Sequence, residues 1–279
     1  MLKLGPAKGI SIAQWVRPET RVFDIASKNP VTCRMEQKIE DVVELFVKRY
    51  RRVPVIDENG HVRGMLSATD VLNALGGWGE HGKIPPQKRL GIRVKKVMSQ
   101  HAIHMDKNME VPLALSMFKK HRFGAYPVLY RRALLGIVTE WDIVRQVRGK
   151  TGVRIGDIMV RKPIVAQASY SVTDIAKMLG MGGFRRLPVV NRGLLVGMIT
   201  PRDILKFLFE NRILPTLHEQ KQPVTRIMEQ HVVTIKPNED VYEAVKIMIG
   251  QKIGGLPVIE EHQITGIVTE RDIVDAVKF

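Results

Sequence analysis

The sequence predicts an α/β protein built from four copies of one strand–helix–strand–strand–helix unit. The first observation behind this is a repeated segment: RRVPVIDENGHVRGMLSATDVL, AYPVLYRRALLGIVTEWDIV, RRLPVVNRGLLVGMITPRDIL and GGLPVIEEHQITGIVTERDIV align directly. Each sets a proline in an apolar strand, followed by glycine, two apolar residues, Ser or Thr, two variable residues and Asp. The prolines are Pro54, Pro127, Pro188 and Pro257, the glycines Gly64, Gly136, Gly197 and Gly266, and the aspartates Asp70, Asp142, Asp203 and Asp272. The second observation is the period. Successive prolines stand 73, 61 and 69 residues apart. That exceeds the repeat of a helix-pair solenoid, so each copy is a small domain.

Within a unit the elements follow from local patterning. A leading helix is read from apolar residues at helical spacing, as in EDVVELFVKRY (40–50) and DVYEAVKIMI (240–249). Short strand-like segments such as HAIHM and PIVAQ precede it. Two apolar strands joined by a polar turn come next, for example LPVVN and LVGMIT. A closing helix starts at the Ser or Thr: SATDVLNAL, TEWDIVRQV, TPRDILKFL, TERDIVDAV. The unit boundaries read as 22–80, 93–148, 153–210 and 222–279, with 1–21 an extension of unassigned role.

A unit of this length is marginal alone, so pairing is expected. GIVTEWDIV and GIVTERDIV differ at one position in nine, and RRVPV matches RRLPV, so units 1 and 3 are kin, as are 2 and 4. Duplication of a two-unit module, giving modules of roughly 22–148 and 153–279, accounts for this. The Gly/Pro-rich GGWGEHGKIPP (76–86) reads as a loop inside the first module.

Composition narrows the function. The chain has 279 residues, 44% hydrophobic and 26% charged, an ordinary globular balance. No apolar run approaches the roughly 18 residues of a spanning helix. Gly5, Pro6 and Gly9 break the N-terminal stretch where a signal peptide would need apolar continuity, so a cytoplasmic protein is expected. Cys33 is the single cysteine, which excludes intrachain disulfides and cysteine-rich zinc sites. GWGEHGKI at Gly77 comes close to a P-loop but ends in Ile84 before Pro85 and Pro86, without the metal-binding hydroxyl. His101 and His104 fall on opposite faces of a strand-like stretch, against a metal site. With no nucleophile–base arrangement and no spare segment for a catalytic domain, the chain is expected not to be an enzyme and to require no cofactor.

The net charge is +16, unevenly spread. Residues 76–152 carry fifteen Lys and Arg against five acids, a net +10, whereas residues 213–279 carry seven against ten, a net −3. Such a gradient points to a polyanionic partner.

The repeated unit resembles the CBS domain, the regulatory motif named after cystathionine β-synthase, and four copies cover about four-fifths of the chain. The resemblance implies that units pair through their sheets into two Bateman modules. It implies further that clefts between paired units bind AMP, ADP or ATP, with S-adenosylmethionine as an alternative. The four-unit arrangement is similar to the gamma subunit of AMP-activated protein kinase and to stand-alone microbial proteins. By the same resemblance Asp70, Asp142, Asp203 and Asp272 hold ribose hydroxyls, and Ser67, Thr139, Thr200 and Thr269 contact phosphate.

The residues support such a site on physical grounds. A helix N-terminus presents unpaired N–H groups and partial positive charge, which suit phosphate. A carboxylate one turn in can accept two hydroxyl donors. The plainer reading is a capping box, Ser/Thr with an acid three residues on, which needs no ligand. Arg52 and Arg186, two residues before the proline in units 1 and 3, can reach phosphate bidentately. Arg202 and Arg271, just before their aspartates, are expected to add charge, which favours the second module. Trp141 stands at the corresponding place in unit 2, and packing between units is its expected role.

The reading is therefore a non-catalytic adenine-nucleotide sensor that binds another macromolecule. Lys83, Lys88, Arg89, Arg93, Lys95 and Lys96 form one basic cluster, and Lys119, Lys120, Arg122, Arg131 and Arg132 a second. They suit phosphate-backbone docking, with RNA or the ribosome surface as partner and DNA next. The alternative is a nucleotide-responsive regulator of a protein enzyme, kinase or transporter with no nucleic-acid role. The plainer reading of the basic clusters is that they are solvated faces, or that they cover the acidic fourth unit of another copy in a homodimer.

Overall fold

The computed structural model describes residues 9–278 apart from 13, 14, 16, 18, 49 and 101. The expected strand–helix–strand–strand–helix order is found in repeats 1 to 3, and in repeat 4 the leading strand is reduced to a single parallel bridge at Ile235. The leading helices are Ile39–Lys48, Val111–His121, Val172–Gly182 and Val241–Gln251. Each buries residues at i, i+3, i+4 and i+7, such as Val111, Ala114, Leu115 and Phe118 in repeat 2, the stripe an amphipathic helix turns to a core.

The hairpins share one register. Pro54, Pro127, Pro188 and Pro257 stand opposite Met65, Ile137, Met198 and Ile267, and a bulge follows one residue later in every repeat. A parallel segment joins the other edge starting at the residue after the proline: Cys33 opposite Val55, Met105 opposite Val128, Ala166 opposite Val189 and Ile235 opposite Val258. The proline therefore leaves no parallel ladder bond unmade.

The repeat glycine also has a packing cause. A segment from outside the repeat lies against the second hairpin strand. Ser27–Lys28 pairs with the strand Ala133–Thr139, Ser99–Gln100 with Val62–Ser67, and Val160–Arg161 with Gln263–Thr269. A Cβ at Gly64 would sit 2.2 Å from the Ser99 carbonyl oxygen, and one at Gly266 would sit 2.5 Å from Met159 Sδ. Only glycine admits so close an approach.

The chain divides into two compact units. One holds the residues through Asn29, 103–163 and 233–279, the bulk of repeats 2 and 4; the other holds 30–102 and 164–232, the bulk of repeats 1 and 3. In the first, the closing helices Glu140–Val144 and Glu270–Ala276 pack on each other over a core including Phe118, Tyr126, Ile143, Met248 and Ile273. In the second, the leading helix of repeat 1 packs on the closing helix Pro201–Glu210 of repeat 3, and the closing helix Ala68–Gly76 on the leading helix of repeat 3. The kinship of 1 with 3 and 2 with 4 is thus also a packing relationship. Consecutive repeats, grouped above as 22–148 and 153–279, contribute to different compact units.

Two local expectations change. Ile10–Ser11 pairs in parallel with Val277–Lys278, and Ile10 and Trp15 enter the core of repeats 2 and 4, so the described part of the extension is built into that unit. The stretch 76–86 is not an irregular loop. It carries 3-10 turns over Gly79–Lys83 and Pro86–Gly91, with Trp78, Ile84 and Leu90 packed against the core of repeats 1 and 3. Its prolines and glycines forbid an α-helix yet allow short i→i+3 turns. No described helix is long and apolar enough to cross a membrane.

Candidate functional site

The Ser/Thr-x-x-Asp motif forms the same reciprocal cap in every repeat. The hydroxyls of Ser67, Thr139, Thr200 and Thr269 donate to Oδ2 of Asp70, Asp142, Asp203 and Asp272, each at 2.7 Å. The backbone N–H groups of the same four residues donate to the same oxygens at 2.7–2.9 Å. The hydroxyl proton is committed to the carboxylate, so a phosphate would have to compete for it. Both bonds fall on one oxygen, which leaves Oδ1 outside the cap.

Burial raises the carboxyls of Asp70, Asp142 and Asp203 above their ordinary range, against the lowering by the cap hydrogen bonds. Such carboxylates favour hydrogen-bond donors, as a ribose diol supplies, over further anions. The Arg52 charge acts to lower the Asp70 carboxyl against the raising by burial, and His81 from the 3-10 turns does so when it is protonated. Arg52 is placed by the ladder, directly opposite Ser67, while Ala125 and Gly255 hold the equivalent places opposite Thr139 and Thr269. Arg186 lies one residue ahead of the strand Leu187–Asn191, outside the ladder.

The structure corrects the role expected for Arg202 and Arg271. Arg202 directs Nε and Nη2 to the carbonyls of Val47 and Lys48, at 3.1 and 2.7 Å, at the C-terminal end of the leading helix of repeat 1. Arg271 is 9% exposed and donates to the carbonyls of Phe118 and Phe123 at 2.6 and 2.8 Å, around the end of the leading helix of repeat 2. It also pairs with the buried Glu140. Both guanidinium groups sit at the C-terminal end of a leading helix, with the favourable sign for that end. Trp141 is partly buried against the core of repeats 2 and 4.

The basic clusters also divide. Arg89 is buried, donating to the carbonyls of Ile84 and Leu75 at 3.0 and 3.1 Å, and is corrected from a docking residue to a structural one. Lys119 donates to the Val277 carbonyl beside the C-terminal strand. Arg93 and Lys95 both pair with Glu36, and Arg122 lies 3.7 Å from Asp275. Lys83, Lys88, Lys96, Lys120, Arg131 and Arg132 are exposed. The +10 segment therefore does not form a property of one body: Lys83 to Lys96 belong to the unit of repeats 1 and 3, and Lys119 to Arg132 to the unit of repeats 2 and 4. His101 lies outside the described residues, His104 is exposed, and no cluster of potential metal ligands occurs among the described residues.

Sequence reasoning passed over one position. Four residues before the proline stand Tyr50, Phe123, Phe184 and Ile253. Tyr50 is 40% and Phe123 47% exposed, unusual for large side chains just ahead of a buried strand. An aromatic in three of four copies was a legible signal, masked by the apolar context.

The CBS-domain family model matches residues 22–77, 94–149, 155–210 and 224–278. Protein MJ1225 of Methanocaldococcus jannaschii is 30% identical over 243 residues, covering 81% of this chain and 87% of the relative. Its crystal structure, described as a candidate archaeal homologue of g-AMPK, gives a TM-score of 0.83 at 28% identity over 91% of this chain and 99% of that one. A 33.4 kDa protein in the ribosomal RNA operon of Thermofilum pendens is 26% identical, covering 85% of this chain and 83% of the relative. Four matched segments spanning most of the sequence, on four copies of one fold with one cap geometry, show that the chain belongs to the CBS-domain family.

Proposed function

We propose that the chain is a non-catalytic regulatory protein that senses an adenine nucleotide at the start of its closing helices and binds a polyanionic macromolecule. One observation carries the nucleotide reading. In every repeat the cap occupies a single aspartate oxygen; in repeat 1 Arg52 stands in the strand directly opposite the capping Ser67, and in repeat 3 Arg186 stands one residue ahead of the strand Leu187–Asn191. Oδ1 of Asp70 and Asp203 is suited to ribose hydroxyls, the helix N-terminus with Arg52 or Arg186 to phosphate, and the exposed ring of Tyr50 to a purine base. AMP, ADP and ATP fit this set; S-adenosylmethionine supplies the ribose and base without the phosphate.

Thermal unfolding with each ligand tests this. A ligand at a hundred times its dissociation constant stabilises by about 2.7 kcal/mol. Asp70→Asn with Asp203→Asn should abolish that stabilisation, and Asp142→Asn with Asp272→Asn should preserve it. No stabilisation of the wild-type protein by any of the four ligands would defeat the sensor reading.

The exposed cations of residues 76–152 support RNA or the ribosome surface as the partner, since phosphate-backbone docking needs charge without an apolar interface. Co-sedimentation with ribosomes at low and high salt tests it. The similarity to a candidate g-AMPK homologue supports the second reading, regulation of a protein partner. That reading predicts association that survives moderate salt and is indifferent to charge reversal at Lys96, Arg131 and Arg132.

A further inference from the structure

We propose that the hairpin tip of repeat 2, Arg131 and Arg132 with Lys107 and Tyr130, is an element that docks an RNA phosphate backbone. The inference rests on the polyanion reading above and gives it a location.

Tyr130 pairs with Ala133, so Arg131 and Arg132 make a two-residue turn. Both lie in the left-handed region, at φ 48° and 72°. A two-residue hairpin turn with both φ positive favours Asn followed by Gly, because a Cβ is strained there. Repeat 3 follows that preference at its second position, with Arg192 and Gly193 at φ 50° and 81°. Repeat 2 holds an arginine at both. A strained backbone with long cationic side chains at an exposed tip calls for a role outside the fold.

The surroundings fit that role. Lys107 Nζ lies 3.8 Å from the centre of the Tyr130 ring and the Arg131 guanidinium 5.3 Å from it, so one ring orders two cations at the tip. Arg131 and Arg132 are both exposed. Arginine is suited to phosphate through its planar fork of donors. An acidic protein partner fits less well. Protein interfaces have an apolar centre, and none of the exposed large apolar side chains lies within residues 129–134.

Repeat 4 supplies an internal control. Its tip, Glu261 and His262, has the same left-handed geometry, at φ 48° and 65°, without the basic charge. Arg131→Asn with Arg132→Gly should raise the melting temperature by a few degrees while weakening binding to a fluorescent RNA hairpin. The log–log salt slope should become shallower by about 1.5, as for two lost phosphate contacts. Glu261→Asn with His262→Gly should raise the melting temperature similarly without weakening RNA binding. Arg131→Lys with Arg132→Lys should keep most of the salt slope. RNA binding by the wild type that is unchanged in the Asn–Gly variant overturns the assignment of the tip but not the polyanion reading. Absence of RNA binding by the wild type overturns both, and tighter binding of polyglutamate than of RNA overturns the choice of partner.

Discussion

Arg271 of repeat 4 is ion-paired with Glu140 of repeat 2, inside the core that unites these repeats. Glu140 is 1% exposed and Arg271 9%. The arginine also donates to the carbonyls of Phe118 and Phe123. One guanidinium therefore neutralises a buried carboxylate and finishes a helix of the opposing repeat. The corresponding place in repeat 2 is Trp141, which packs against the same core, so two halves with near-identical sequence meet through unlike residues.

Removing one member of this pair should be costly. Arg271→Met leaves Glu140 buried without its cation, with an expected loss of about 3–5 kcal/mol in urea unfolding. Adding Glu140→Leu to that variant should recover a large part of it. A loss below about 1 kcal/mol for Arg271→Met would contradict the arrangement.

Arg202 is the contrasting case. Its bonds to the Val47 and Lys48 carbonyls are made at the exposed surface. Arg202→Ala should therefore cost only about 1 kcal/mol. Because the guanidinium is turned to the helix end, the variant should keep in full the nucleotide stabilisation proposed above. Loss of that stabilisation would return Arg202 to the proposed phosphate site.

These two arginines mark where the sequence was legible and where it was not. The hairpin, closing helix and Ser/Thr-x-x-Asp cap are local, so spacing within one repeat was enough to predict them. The destination of Arg202 and Arg271 depends on which repeat packs opposite, a long-range fact with no local signature. The same holds for Arg89, whose partners Leu75 and Ile84 are set by the fold of the 3-10 turns. Gly64 and Gly266 were visible as repeated glycines, but their reason, a strand arriving from outside the repeat, was not.

Cys33 should be chemically silent in the folded protein. It is 2% exposed, and burial pushes its thiol up to about 12. The thiolate is the reactive form, so iodoacetamide at pH 8 should leave Cys33 unmodified until denaturant is added. Stoichiometric labelling of the native protein would show that the strand Cys33–Arg34 opens readily.

The aspartates give opposing dependences on pH. Burial alone would raise Asp240, but hydrogen bonds from the Thr151 N–H and hydroxyl, the Tyr242 N–H and the Gly152 N–H lower it below its ordinary 3.8. The folded state therefore binds this proton less readily than the unfolded state. Its stabilisation is present above 3.8 and is lost as pH falls through the lowered folded value. Asp203 has the opposite sign. Burial raises it, so the folded state holds its proton more readily, and that contribution is lost as pH rises from 3.8 through the raised value. Asp240→Asn should therefore flatten the fall in stability on the acid side, and Asp203→Asn should flatten the decline on going up from pH 3.8. Urea midpoints measured between pH 2.5 and 6 for both variants check the signs, and an unchanged acid limb in Asp240→Asn would mean that its four hydrogen bonds do not persist in solution.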